Sequence, residues 1–156
     1  MRVQSVRRSL MPMKRRGAVL VESAFVANVL FLTLFTMADL AIGVLHSNSL
    51  SESARRLARF VAVSGALSEP EQSALGPELY QGNAADDSVI GEQVRRTLTI
   101  PDLQNVSVQI EWSDGGNQVG DRIRVSLNYP YQSIIPALVS VDQINLSASS
   151  STTIRH

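Results

Sequence analysis

The residue types that most often carry out catalysis are scarce in this sequence. It contains no cysteine, which excludes disulfides, thiol catalysis and thiolate metal sites. The two histidines, His46 and His156, lie in no metal-binding spacing, and the sequence has neither a Gly-x-Ser-x-Gly elbow nor a phosphate-binding loop. A hydrolytic triad needs a base and an orienting acid beside its serine. We therefore expect that the chain is not an enzyme, and that it uses no cofactor and no metal ion.

A glycine-rich segment gives one hint of ion binding. Residues 113–121, SDGGNQVGD, contain Asp114, Asn117 and Asp121, and oxygen ligands of these types suit Ca²⁺. The full ligand pattern of a calcium loop is missing, however, and the same residue types favour tight turns. We therefore predict an ordinary hairpin turn here, with ion binding as the alternative.

Two carboxylates interrupt an otherwise apolar stretch. The 28 residues 18–45, AVLVESAFVANVLFLTLFTMADLAIGVL, include only Glu22 and Asp39 as ionisable side chains. Carboxylates inside a membrane are costly and usually have partners, so Glu22 is a candidate for subunit pairing, with a position among lipid headgroups as the alternative. Asp39, near the far end, is a candidate either for helix packing or for interfacial solvation. Asn28 is a candidate for a hydrogen bond between packed helices.

The length of this stretch predicts a membrane span. At about 1.5 Å per residue, a helix over 18–45 would be roughly 42 Å long, whereas about 20 residues cross the hydrocarbon core. The apolar core of a secretory signal peptide is about 7 to 15 residues long and ends at a small-residue cleavage site. Because residues 47–49 (SNS) form a poor site of this kind, a retained transmembrane helix is favoured over a removed signal peptide.

The charges are divided sharply between the two ends of the chain. Residues 1–17 hold six of the 14 basic residues and none of the 14 acidic ones, so the leader is +6 and the remainder is −6. By the positive-inside rule, the leader stays in the cytoplasm and the domain after residue 45 lies outside. A chain without a general basic surface lacks the usual footprint of nucleic-acid binding, so no nucleic-acid partner is expected.

The helical pattern continues beyond the apolar stretch. Over residues 46–65, apolar side chains repeat at helical spacing, at Leu50, Ala54, Leu57 and Val61. Three arginines, Arg55, Arg56 and Arg59, fall on the other faces. The spacing predicts a helix extension that ends near Gly65, since glycine readily adopts the left-handed conformation that closes a helix. One face of this extension must pack on the rest of the chain.

Residues 66–156 are expected to form a small α+β domain. Residues 66–85 show no period and contain prolines and glycines, which predicts a loop. Residues 86–88 can cap a short helix, in which Ile90, Val94 and Leu98 share a face and which Pro101 terminates.

Three strands are predicted after this short helix. Residues 106–112, 122–129 and 143–154 place apolar residues at alternate positions, which is typical of strands with one buried face. Consecutive antiparallel strands form a three-stranded meander that the long helix can cover, so the predicted fold class is α+β. The predicted core consists of Leu57, Val61, Val108, Ile110, Trp112, Val125, Leu127 and Tyr129.

Several segments of the sequence resemble a known family. Residues 15–22, RRGAVLVE, resemble the junction of type IV pilin-like precursors, which are cut after a glycine and carry glutamate as the fifth mature residue. More closely, RRGAVLVESAFVANVLFLTLFTMADL, ARRLARFVAVSG and RVSLNYPYQSIIPALVSVDQINLSASSSTTIRH together are similar to TadE-like minor pseudopilins of the tight-adherence (Flp) pilus system. The similarity covers the N-terminal third and the last quarter of the chain. It implies a pilin-like fold.

The resemblance also implies a processing site and a set of partners. A prepilin peptidase would cut between Gly17 and Ala18, and Glu22 would pair with the new amino terminus of a neighbouring subunit during assembly. Ala18 departs from the aromatic or methionine residue that pilins usually have there, but it suits the tight-adherence branch. The implied partners are the peptidase, a major pilin, other minor pseudopilins, the inner-membrane assembly platform and lipid. The implied location is the bacterial inner membrane, with the C-terminal domain in the periplasm and later in a pilus.

A protein of another class is also compatible with these residues. A single-span periplasmic adhesion or scaffold protein that retains its leader would show the same basic segment and apolar stretch. The first residue of the mature protein distinguishes the two, since it is Ala18 in the pseudopilin and Met1 in the anchored protein.

Overall fold

The computed structural model describes residues 14–64, 75–134 and 143–155 of the chain. Its first element is helix α1, Lys14–Val63. No proline interrupts this segment, and the hydroxyls of Ser23, Thr33 and Thr36 donate to carbonyls four residues earlier, so these polar groups are satisfied within the helix. The predicted end of the helix at Gly65 lies just outside the described residues.

The chain divides into two compact units, one up to Ala38 and one from Asp39 onwards. In the first unit, almost every described side chain is exposed, and most of them are apolar. By length and composition, α1 contains a segment able to cross a membrane. This property is consistent with the predicted membrane span and also with a signal sequence.

In the second unit, one face of α1 is buried under a sheet. The buried apolar residues on this face are Leu50, Ala54, Leu57, Ala58, Val61 and Ala62. They recur every three or four residues, which is the period of one helix face. The alanines allow the sheet to approach closely, while Leu57 and Val61 fill the space between them. The chain is therefore α+β, with a long helix packed against an antiparallel sheet in a pilin-like arrangement.

The sheet has four antiparallel strands in the order β1-β2-β3-β4. The strands are β1 (Tyr80–Asn83), β2 (Ser107–Trp112), β3 (Arg122–Tyr131) and β4 (Ile144–Thr153). The predicted meander corresponds to β2, β3 and β4. Strand β1 is additional, and it lies in a segment for which the sequence predicts a loop. Its four residues include a glycine and show no alternation, so only their pairing with β2 makes them a strand.

The predicted short helix is present as α2, Val89–Arg95. The Ser88 hydroxyl accepts a hydrogen bond from the backbone N–H of Gly91 at 3.0 Å, which caps the first turn. Ile90 and Val94 are buried, whereas Leu98 lies beyond the helix and packs against the core while half-buried. A single 3₁₀ turn, Leu103–Asn105, then leads into β2.

The core forms between α1, α2 and the inner face of the sheet. All eight predicted core residues are buried, so the register inferred from alternation is confirmed. Strand β3 extends past the predicted end at residue 129 and includes Pro130. Its position is compatible with a strand because β2 begins opposite Asn128 and does not reach Pro130, so the proline removes no hydrogen bond to β2.

Candidate functional site

The predicted processing site lies at the start of α1. Gly17 is the fourth residue of the helix, and among the described residues outside its own turn, no atom lies within 4 Å of where its Cβ would be. The first four N–H groups of a helix have no partner within the helix, so its first turn opens at low cost. Ala18 is exposed. The bond between Gly17 and Ala18 thus lies at the first turn of α1.

Glu22 and Asn28 lie further along the first unit, and both side chains are exposed. Within the described part of the chain, neither forms a side-chain hydrogen bond, and Glu22 forms no ion pair. Apolar side chains surround Glu22 along the helix, among them Val21 and Phe25, which are also exposed. Among the described residues, the Glu22 carboxylate therefore has no charged partner.

Asp39 has a different environment, because it is the first residue of the second unit and is only 7% exposed. Its carboxylate accepts hydrogen bonds from the Tyr131 hydroxyl at 2.6 Å and from the Ser133 hydroxyl at 2.6 Å. It also accepts one from the backbone N–H of Ile134 at 3.0 Å. These three donors belong to the end of β3 and the residues that follow it. Asp39 thus attaches the far end of this strand to α1.

The electrostatics of this cluster favour a stable attachment. Burial, and then the hydrogen bond to Asp39, raises the pKa of Tyr131 to about 12. The hydroxyl therefore stays protonated and keeps donating throughout the physiological pH range. His46 lies about two turns after Asp39 on the same face of α1. Its ring packs edge-on against Tyr129 and Tyr131, with ring centroids 5.7 Å and 5.6 Å away. Burial lowers the pKa of His46, so its neutral form is favoured beside these rings.

The residues that hinted at ion binding stabilise the turn between β2 and β3. The Asp114 carboxylate accepts a hydrogen bond from the Arg122 backbone N–H at 2.9 Å and pairs with its guanidinium at 2.9 Å. Asp121 accepts from the backbone N–H of Gln118 at 2.9 Å, while the Asn117 side-chain amide donates to the carbonyl of Leu75 at 2.8 Å. This is the hairpin turn that the residue types favour.

Sequence reasoning singled out Asp39 but none of its three partners. Tyr131, Ser133 and Ile134 lie 92 to 95 residues further along the chain, and no local pattern marks them as partners of a helix residue. The available signal was indirect, since a carboxylate near the end of an apolar stretch requires donors.

We expect replacement of Asp39 by alanine to destabilise the second unit. Asp39→Ala removes the carboxylate that three donors share, although the Tyr131 hydroxyl keeps the main-chain carbonyl of residue 39 as an acceptor at 3.2 Å. A buried donor left unsatisfied costs about 1 to 3 kcal/mol. The loss in unfolding free energy should be about 2 to 4 kcal/mol after partial rehydration. Asp39→Asn, which keeps the shape and one acceptor, should lose less. Urea unfolding followed by Trp112 fluorescence measures both variants, and equal stability of Asp39→Ala and wild type would contradict the attachment.

Asp39 and its three donors thus form a positioning site. Within residues 14–64, 75–134 and 143–155, no three His, Cys, Asp or Glu side chains are close enough to hold a metal ion. The buried carboxylate is already satisfied by three donors, and its task is to hold a strand against a helix. Comparison of the chain with protein-family models, with curated proteins and with solved structures found no match.

Proposed function

We propose that this chain is a minor pseudopilin of the TadE-like type, a subunit needed to assemble a tight-adherence (Flp) pilus. The observation that carries the proposal is Glu22, an exposed carboxylate on an exposed apolar helix, placed four residues after a Gly17–Ala18 junction that follows a basic leader. A lone carboxylate is costly in an apolar environment, so its presence requires a partner.

Cleavage after Gly17 would create that partner on a neighbouring subunit. The cut removes all six basic residues of the leader and leaves a free amino group on Ala18. Within one chain, Glu22 lies one helical turn from this amino group and also favours the positive end of the helix. In an assembly, the same carboxylate can pair with the amino terminus of the next subunit.

The exposed apolar surface of the first unit supports the same function. Side chains such as Leu20, Phe25 and Phe31 are more than half exposed, and contiguous apolar surface of this kind requires lipid or protein around it. Before assembly, the inner membrane would cover this surface, with the second unit in the periplasm. After assembly, the helices of other pilins would cover it.

Under this function, the partners of the chain are those that the resemblance implies. A prepilin peptidase would act on the junction, the membrane would hold the apolar helix, and the assembly platform would receive the mature subunit. A major pilin and other minor pseudopilins would contact the helix through apolar packing and through Glu22.

A single-span periplasmic adhesion or scaffold protein remains the second candidate. The same long apolar helix favours it, because an anchor needs nothing more than a span and a small folded domain. In that case the leader would be retained, and Glu22 would lie among the lipid headgroups.

The processing site is tested by a bulky substitution at the junction. We expect Gly17→Leu to accumulate as a precursor that is heavier by the 17 leader residues, because a large side chain keeps the backbone away from the peptidase active site. Gly17→Ala, which adds a single methyl group, is the matched control and should mature at least in part. Intact mass and N-terminal sequencing of membrane-extracted protein measure the outcome.

Two results would contradict this proposal. Normal maturation of Gly17→Leu would show that the assigned bond is wrong. Wild-type protein that begins at Met1 in cells producing an active prepilin peptidase would support the anchored protein instead.

A further inference from the structure

Strand β4 is an outer strand of the described sheet and pairs with β3 on one side. Within the described residues, its other side pairs with no strand. Ten residues, Ile144–Thr153, therefore present a row of backbone donors and acceptors at this edge.

The hydrogen bonds at the end of β4 show which peptide groups point outwards. The N–H of Ile154 donates to the carbonyl of Asp121, and the carbonyl of Ile154 accepts from Gly120, so both groups of Ile154 face the β3 side. The direction alternates along a strand. The backbone groups of Asn145, Ser147, Ser149, Ser151 and Thr153 therefore point to the open edge.

This edge lacks the features that normally prevent strand addition. Exposed edges are usually protected by charged residues, especially lysine, by proline or by a bulge. The sequence INLSASSSTT contains no charged residue and no proline, and its pairing with β3 is regular over all ten residues. Nothing in the strand's own sequence therefore opposes pairing with another extended backbone.

An apolar groove lies at the beginning of β4, between the strand and α1. It has a volume of about 320 Å³, and its lining includes Leu40, Val44, Tyr131, Ile144 and Leu146. Leu40 is 64% exposed and Ile144 is 40% exposed, so the groove holds apolar surface that the described residues do not cover. A segment added to β4 would place apolar side chains there.

A basic cleft lies between α1 and the other end of β4. Its volume is about 400 Å³, and it is lined by Arg59, Ala62, Val63, Thr152 and Arg155. Among the described residues, neither guanidinium lies within ion-pair distance of a carboxylate. Glu52 interacts with Arg59 only by long-range charge attraction, because its carboxylate forms an ion pair with Arg56 at 2.7 Å. The cleft therefore attracts an acidic group from outside.

The apolar groove and the basic cleft are separated by a distance that one extended segment can span. Ile144 and Thr152 are eight residues apart, which is roughly 27 Å along a strand at about 3.4 Å per residue. A helix covers a similar length between Val44 and Ala62, about 27 Å at 1.5 Å per residue. Strand and helix thus run alongside each other, with the groove at one end and the cleft at the other.

We propose that the open edge of β4 binds an extended segment of a partner protein, which adds to the sheet as a fifth, antiparallel strand. Antiparallel pairing continues the pattern of the sheet and is slightly more stable per residue than parallel pairing. The N-terminal part of the bound segment carries one or two carboxylates, which meet Arg59 and Arg155. About eight residues later it carries apolar side chains, which fill the groove beside Ile144. Backbone pairing supplies affinity, and the two ends supply specificity. This binding does not require the chain to be a pseudopilin.

The test uses the full chain in detergent and two synthetic peptides. The first has ten residues, with two glutamates at its N-terminus, alternating threonine and valine in the middle, and leucine at its C-terminus. The second has lysines in place of the glutamates. We expect the acidic peptide to bind at least tenfold more tightly, and to slow hydrogen exchange at the outward amides of Ser147, Ser149 and Ser151. Its affinity should fall as salt is raised, because the arginines are exposed.

A proline at one outward position separates edge pairing from other kinds of binding. Ser149→Pro removes an outward N–H but no hydrogen bond to β3, so it should fold and lose at least 90% of the peptide binding. Ser149→Ala retains the N–H and should bind as the wild type does. The double variant Arg59→Glu with Arg155→Glu should prefer the lysine peptide. If Ser149→Pro does not fold, as judged by Trp112 fluorescence, the peptide preference of the double variant decides the question.

Several outcomes would overturn the proposal. One is that the outward amides are already protected in the chain alone, which would mean that this chain covers its own edge. Another is protection that disappears on dilution, which would assign the edge to a second copy. Equal binding by Ser149→Pro and Ser149→Ala, or equal binding of the two peptides, would also overturn it.

Discussion

Replacement of Glu22 by leucine is expected to leave membrane insertion and processing intact while abolishing pilus formation. Insertion depends on apolar length, and cleavage depends on the Gly17 junction, so neither requires this carboxylate. Assembly does, under the proposed function, because the amino group of Ala18 on the neighbouring subunit loses its charge partner. Breaking a buried ion pair typically costs about 3 to 5 kcal/mol. This cost lowers an association constant by roughly two to four powers of ten.

No other acidic residue of the apolar stretch can replace Glu22. Asp39 lies 17 residues further along, which is roughly 25 Å on a straight helix. Its carboxylate is also bound by three donors of the second unit, beginning with Tyr131 at 2.6 Å. The neighbouring amino group would therefore stay unpaired in the variant.

The measurement pairs N-terminal sequencing with filament yield. Glu22→Gln, which keeps the size of the side chain and removes the charge, should fail in the same way as Glu22→Leu. Ser23→Leu is a matched control, since it adds an exposed leucine at the next position without removing a charge. Normal filaments built with processed Glu22→Leu protein would mean that the carboxylate only faces lipid headgroups.

Replacement of Trp112 by alanine is expected to cost about 3 to 5 kcal/mol of unfolding free energy, the usual range for a buried aromatic residue. Trp112 is 6% exposed and ends β2 on the inner face of the sheet. Gly76 lies against its indole ring, and a Cβ at Gly76 would overlap the ring. Removing the indole leaves a cavity beside Gly76, and this cavity adds to the lost burial.

Two controls show whether this loss comes from the core. Trp112→Phe should cost less than Trp112→Ala, because it retains part of the buried ring. Glu111→Ala, one position earlier on the exposed outer face, should change stability by less than about 0.5 kcal/mol. Because Trp112 is itself the fluorophore, urea unfolding is better followed by the near-ultraviolet circular dichroism of the tyrosines. A loss below about 1 kcal/mol for Trp112→Ala would contradict the burial of this side chain.

Local patterns were sufficient to predict most of the fold. To predict the helix, it was enough to recognise an uninterrupted apolar stretch followed by apolar residues every three or four positions, such as Leu57 and Val61. To predict the meander, the alternation of apolar and polar residues was enough, because a strand with one buried face shows this alternation whichever strand it pairs with. Ser88 likewise marked the start of α2 through its own hydroxyl. Each of these signals is contained within a few neighbouring residues.

Strand β1 was missed for the opposite reason. Tyr80 and the three residues after it have no alternation and include a glycine, so their extended conformation depends on β2 being present beside them. The position of Asp39 was likewise decided by residues far away in the sequence. Its carboxylate is satisfied only because β3 ends beside α1, and there Tyr131 and Ser133 can donate to it.

The sequence by itself determined the apolar helix, the basic leader, the candidate junction at Gly17 and the alternation of the core strands, because these are properties of chemical type and short spacing. Tertiary structure alone decided the order of the strands and the attachment of β3 to Asp39. It also decided that the uncharged edge of β4 lies between an apolar groove and Arg155. These features arise from contacts between residues up to 95 positions apart. Such contacts form only when the chain has folded. Each of them costs conformational entropy, and the burial that offsets this cost comes from several distant segments together.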